Sequence, residues 1–204
     1  MRLSPRFLAP VLLALVTTPA VAQTVPGAPV ASRVVAGKYV VEPNHTQVVF
    51  TLNHMGFTYY TGQFVQPSGT LMLDPKNPAA DKVDITFDVK KVTSTAEHLN
   101  EHIQAPEFFD SAKFPTGNFT STKVTVQGNT ATILGNLTLK GITKQVVLNA
   151  TFVGAGPAPM GPPKLNVGFK ATTTIKRSDF GISAYVPLVS DEVQLTINAA
   201  FVAE

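Results

Sequence analysis

Apolar residues at every second position constrain this chain more than any other feature. Val83, Ile85, Phe87 and Val89 alternate with Asp84, Thr86, Asp88 and Lys90. Val146, Leu148, Ala150 and Phe152 repeat the pattern, as do Val193, Leu195, Ile197, Ala199 and Phe201. A period of two gives each stretch one apolar face and one wet face. Further strand-like segments lie at 38–42, 47–53, 59–64, 69–73, 118–126, 131–139 and 164–176. Turn signals at Pro43-Asn44, 74–78, Gly128-Asn129 and Lys140-Gly141 separate them. The Gly/Pro-rich stretch 154–163 reads as a mobile connection. Eight or nine strands with a single helix describe an all-β antiparallel barrel or sandwich.

The first 22 residues stand apart. Arg2 and Arg6 precede an apolar run from Leu8 to Val16, and Ala20-Val21-Ala22 is a small-x-small site. That is the pattern of a secretory signal peptide cleaved after Ala22, too short for a membrane span. Residues 23–36, small and rich in Pro, Ala and Val, read as a flexible segment, leaving 37–204 as one domain. Downstream, no run of 18 apolar residues predicts a membrane span in the mature chain. Without Arg2 and Arg6 the 16 basic residues become 14 against 13 acidic ones. With no Lys/Arg cluster either, nucleic acid is not an expected partner. The chain has no cysteine, so packing alone must hold it.

The helical stretch lies within 94–122. Ser94 and Glu97 have capping-box spacing, Leu99 and Ile103 share one stripe, and Pro106 ends the helix. At about two and a half turns it needs an apolar support. His98-x-x-Glu101-His102 fits H-x-x-E-H, in which two histidines hold zinc and the glutamate is general base. That chemistry needs a third ligand, and neither a cysteine nor a second helix offers one. His45 and His54 are nine residues apart, about 30 Å along an extended strand, so they do not form one site. Asp84 and Asp88 share a solvated face, and no G-x-S-x-G occurs. Thirteen phenylalanines in a chain of few charges fit either an ordinary core or an elongated apolar cavity.

An ordered series of motifs narrows this. It runs Tyr39-x-Val41-Glu-Pro-Asn-His45, Asn53-His54-Met55-Gly56-Phe57, Gly62-x-Phe64, Asn100-Glu-His102-Ile, Glu107-Phe-Phe-Asp110 and Lys113-Phe-Pro115. Gly135-Asn-Leu-Thr-Leu-Lys-Gly141, Lys176-Arg-Ser-Asp-Phe-Gly-Ile182 and Val189-Ser-Asp-Glu-Val193 complete it. The series, spanning 38–202, resembles the YceI-like family of periplasmic polyisoprenoid-binding proteins. The resemblance implies an extended antiparallel eight-stranded lipocalin-like barrel with one short capping helical segment. It implies non-catalytic carriage or storage of a long-chain isoprenoid, either a polyprenyl phosphate or an isoprenoid quinone, or of a similar lipid. It implies a periplasmic location and no cofactor beyond the bound lipid, and a homodimer is a possible arrangement. Members often carry Arg-Asp before the histidine at the position of His102; Leu99 and Asn100 stand there instead.

The expected cavity residues are Phe50, Leu52, Phe64, Leu71, Ile85, Phe87, Phe108, Phe114, Phe119, Leu137 and Phe169. Leu99 and Ile103 join them from the helix, with His102 and His45 as polar groups facing a ligand. No catalytic residue or metal ligand is expected on this reading. The alternatives are the zinc hydrolase and a barrel with a filled core that binds another protein.

Overall fold

The computed structural model describes residues 25–204, so the expected signal peptide lies outside the described residues. The strands are β1 (Gly37–Val41), β2 (Gln47–His54), β3 (Thr58–Val65), β4 (Ser68–Leu73), β5 (Lys82–Asp88) and β6 (Val92–Ser94). After helix α1 (Glu97–His102) come β7 (Thr116–Gln127), β8 (Thr130–Leu139), β9 (Ile142–Pro157), β10 (Leu165–Lys176) and β11 (Glu192–Ala203). They form one antiparallel sheet, ordered β1-β4-β5-β7-β8-β9-β10-β11-β2-β3-β6, and β1 pairs back onto β11. The expected eight-stranded antiparallel barrel is present and closed.

Eleven segments make eight strands because three long strands are interrupted. β11 pairs Gln194–Asn198 with β2 and Phe201–Ala203 with β1, so β1 and β2 are successive halves of one strand. Pro43 lies in the break, and Thr46 fills the gap in the ladder. Its hydroxyl donates to the Ala200 carbonyl at 3.2 Å and accepts from the Ala200 amide at 2.9 Å. β3 and β4 form the second long strand, broken at Gln66-Pro67, where Gln66 is left-handed. The third break corrects a sequence expectation. The alternation over 83–92 predicts one strand, but Asp88 Oδ1 accepts the Lys90 amide at 2.8 Å and starts a 3-10 turn over Val89–Lys91. Beyond it β6 pairs with β3, while β7 pairs only with β5 and β8. Residues 95–115, including α1, follow this departure of β6 from the ladder.

The capping box does not form. The N-cap is Ala96, with no side-chain cap. Ser94 turns instead to Tyr60, accepting its hydroxyl at 2.5 Å, and lies 2.6 Å from Asn100 Oδ1. Glu97 opens a helix of only six residues, shorter than its pattern predicts.

The stretch read as a connection from Gly154 is also corrected, because β9 continues to Pro157. β8 reaches β9 only as far as Thr151, and residues 26–33 line the edge beyond. Ala28 and Ala155 exchange backbone bonds of 3.3 and 2.9 Å, and Arg33 donates to the Ala155 carbonyl at 3.3 Å. The approach is close: a Cβ on Gly156 would lie 2.1 Å from the Pro26 carbonyl oxygen.

Two buried clusters share the interior. One gathers Phe64, Phe87, Phe119, Leu137, Leu148 and Phe180; the other gathers Tyr39, Leu71, Val167 and Phe201. The barrel has two unlike ends. Loops 55–57, 95–115, 140–141 and 177–191 meet at the helical end, and 74–81, 128–129 and 158–164 at the other.

Candidate functional site

The barrel is not filled. A cavity of about 630 Å³ runs between its walls, well within the roughly 300–1,000 Å³ usual for small-molecule sites. Period two explains the lining. On β2, Val48, Phe50 and Leu52 face in; on β11, Val193, Leu195, Ile197, Ala199 and Phe201 do.

Of the residues expected there, Phe50 and Leu52 of β2, Phe64 of β3, Leu71 of β4, and Ile85 and Phe87 of β5 lie in the wall. So do Phe119 of β7, Leu137 of β8 and Phe169 of β10. Leu99, His102, Ile103 and Phe108 close the helical end. His45 and Phe114 lie elsewhere. His45 sits in the break between β1 and β2, its side chain 81% exposed and Nδ1 2.5 Å from Glu42 Oε2. Burial raises the Glu42 pKa, but bonds from His45 and from the Asn44 and His45 amides outweigh it and hold the carboxylate below its ordinary range. Phe114 is turned onto the β8–β9 turn, where a Cβ on Gly141 would meet its ring at 2.6 Å. Lys113 Nζ lies 5.1 Å from the Phe114 ring centre.

Why a chain so rich in phenylalanine leaves space is visible in three pairs. Phe50 lies against Gly62 across the β2–β3 ladder, and Phe87 against Gly117 across β5–β7. Phe119 covers Gly135 on β8. A Cβ at these glycines would fall 2.3–2.4 Å from the ring. Each ring therefore occupies the place of a missing side chain against the wall. Phe50, Phe64 and Phe87 follow one another at centroid spacings of 5.6 and 5.1 Å, and Phe109 meets Phe64 edge-on at 5.5 Å.

The β10 wall, Ala171, Thr173 and Ile175, escaped the sequence reading because threonines dilute its alternation. The β11 alternation was legible, yet nothing in it says that its inner side faces a space rather than a packed core. Tyr185 and Arg177 were missed too.

Polar groups are few and sit toward the ends. Tyr60, Ser94 and Asn100 form a short chain of hydroxyls and amide beneath α1. The His102 ring meets Phe108 edge-on at 4.9 Å. Buried Arg177 reaches the wall. Its guanidinium donates to the carbonyls of Ser190, Ala184 and Val189 at 2.8 Å and of Ile182 at 3.1 Å. Burial lowers its pKa, and the Asp191 charge opposes that. At the opposite end burial raises the Asp81 pKa against a bond from the Asp74 amide, and the Asp74 charge adds to the rise. Among the described residues no three His, Cys, Asp or Glu side chains gather to hold a metal. His98 and His102 are exposed on the short helix, with no third ligand beside them. No described helix is long and apolar enough to cross a membrane.

These features define a closed antiparallel barrel built around an elongated apolar cavity. The YceI-like domain model matches residues 39–201, and the chain belongs to that family. The YceI protein of Salmonella arizonae is 39% identical over 166 residues, covering 80% of this chain and 86% of its own. The YCEI protein of Campylobacter jejuni superposes with a TM-score of 0.65 at 27% identity, over 74% of this chain and 90% of its own. A polyisoprenoid binding domain from Saccharophagus degradans shares the fold, with a TM-score of 0.59 at 13% identity, over 83% of this chain and all of its own.

Proposed function

We propose that the barrel binds the tail of a long-chain isoprenoid, a polyprenyl phosphate or an isoprenoid quinone, or a similar lipid, and carries or stores it without catalysis. The observation that carries this reading is the 630 Å³ apolar cavity that the flattened phenylalanines leave open. A tail burying on the order of 300 Å² there would gain about 7 kcal/mol before the cost of association. Family membership and the likeness to a polyisoprenoid binding domain support the same ligand class. The sparse polar groups suit orientation of a headgroup better than bond-making, since none of them forms a nucleophile–base set. The signal-like residues 1–22 support export and work in the periplasm.

Protein purified from its own host, extracted with organic solvent and analysed by mass spectrometry, should release one amphiphile with an isoprenoid or acyl tail in near-stoichiometric amount. Repeated absence of any such molecule, with no uptake of added quinone or prenyl phosphate, would overturn the proposal.

A further inference from the structure

Six walls of the cavity are exposed residues, and five of them lie at the helical end: His54, Met55, Thr58, His102 and Tyr185. Around them, two loops raise large apolar side chains into solvent. Phe57 is 87% exposed and Tyr59 69% on the β2–β3 tip; Leu188 is 60% exposed and Tyr185 56% on the facing loop. The two loops form one surface. Met55 N donates to the Leu188 carbonyl at 2.8 Å, Ser190 N donates to the Asn53 carbonyl at 2.9 Å, and His54 bridges Val189.

Two further facts mark this rim. Neither 55–60 nor 182–190 contains Asp, Glu, Lys or Arg, whereas the neighbouring 95–115 segment carries Glu97, Glu101, Glu107, Asp110 and Lys113 and the far-end loop 74–81 carries Asp74, Lys76 and Asp81. Met55 and Tyr185 also hold left-handed backbone, with φ of 56° and 62°. Bulky residues adopt that conformation uncommonly, and Gly or Asn would fit it with less strain. The strained positions carry apolar side chains at the cavity mouth, where solubility alone would favour polar ones.

We propose that this rim seats the barrel mouth in the headgroup–acyl boundary of an uncharged lipid bilayer, so that the tail passes between membrane and cavity without crossing water. The inference rests on the lipid-binding reading above. Aromatic and aliphatic side chains without charge suit that boundary. A stable protein interface uses about 20–30 residues a side, far more than this rim offers. Met55 and Tyr185 belong both to this exposed surface and to the cavity wall, giving the contact between them that a tail leaving a membrane requires.

The chain has no tryptophan, so single tryptophans report on depth. Phe57→Trp is compared with Met160→Trp, placed in the exposed 158–164 loop at the far end. Both are mixed with vesicles of phosphatidylcholine and phosphatidylethanolamine, with and without brominated acyl chains. Phe57→Trp emission should shift to the blue and be quenched by the bromines, equally in low and high salt, while Met160→Trp stays unchanged. Phe57→Ser with Leu188→Ser should weaken vesicle sedimentation by about tenfold or more and leave uptake of soluble farnesyl phosphate intact. No shift, an equal shift at Met160→Trp, or loss of the shift in high salt would overturn the inference. So would a shift that follows protein concentration without vesicles, which assigns the rim to a second copy. Failure of wild-type farnesyl phosphate uptake would instead count against the lipid-binding reading, and the vesicle result would stand by itself.

Discussion

The two ends of the barrel are closed by different chemistry. At the far end, β1 pairs with both β4 and β11, and Tyr39, Val167 and Ala155 are each 1% exposed. Residues 26–33 lie along the remaining edge of β9. Closure there is backbone ladder and packed core, which open only when the domain unfolds. At the helical end a helix of six residues and an irregular loop are stitched together by side chains. Lys140 Nζ donates to the Pro106 carbonyl at 2.7 Å and to the Gly181 carbonyl at 3.1 Å, joining the helical segment to the 177–191 loop. Arg177 binds four carbonyls within that loop. A few side-chain bonds of this kind, in place of a continuous backbone ladder, permit local opening at a free energy below that of global unfolding. The contrast teaches which end a ligand would enter: the one whose closure can be undone without breaking the barrel.

The contrast can be tested by weakening each end in turn. Phe201→Ala empties a packed position at the far end and should cost about 3–5 kcal/mol in urea unfolding. Amide exchange should rise throughout the barrel, with no special effect on 177–191. Arg177→Leu leaves four carbonyls without their donor and should cost about 2–4 kcal/mol. Its signature is local, with exchange in 182–190 rising well beyond the global change. A uniform rise in both variants would erase the distinction between the ends.

Acid should act on the helical end through Asp191. Burial raises its pKa, but bonds from the Ser178 amide and hydroxyl, with the charges of Arg177 and Lys176, outweigh this and hold the carboxylate below its ordinary range. A lowered folded pKa contributes stability above the unfolded value, about 3.9 for Asp, and that contribution is lost as pH falls through the folded pKa. The urea midpoint should therefore drop as pH falls below about 4, and drop less in Asp191→Asn. Equal acid sensitivity in the two proteins would remove Asp191 from the account. The smallest effect belongs to Lys140→Met, which should change global stability by less than about 1 kcal/mol while speeding exchange in 177–191. An unchanged exchange rate there would mean that the helical segment and the 177–191 loop are not coupled through Lys140.

Most of the barrel was legible because alternation reports a one-faced strand wherever it falls. The breaks were less so. Asp88 stops a strand that its neighbours' pattern would continue, because its carboxylate captures an amide two residues on. Ser94 does not cap α1 because it ends β6, two residues before the N-cap Ala96, where its hydroxyl accepts from Tyr60, 34 residues earlier in the chain. No local pattern encodes such partners. Among the cavity residues, those on regular strands were readable from parity. Phe114 and His45 were not, since a turn and a strand break set their directions. The phenylalanine–glycine pairs could have been found by aligning Phe50 with Gly62 across the Met55–Phe57 turn, but that requires the register of the hairpin.

The central claim is that the flattened rings keep open a space that a lipid tail occupies. Native mass spectrometry of wild type and Gly62→Leu, purified side by side from the original host, tests it most directly. A side chain at Gly62 must displace the Phe50 ring, which lies 2.4 Å from where its Cβ would be. The wild type should carry a lipid-sized adduct released by collisional activation, and the folded variant should carry it at one-tenth occupancy or less, as expected for about 1.4 kcal/mol or more of lost binding. Equal loading of the two proteins, or a wild type that never carries an adduct, would contradict the account.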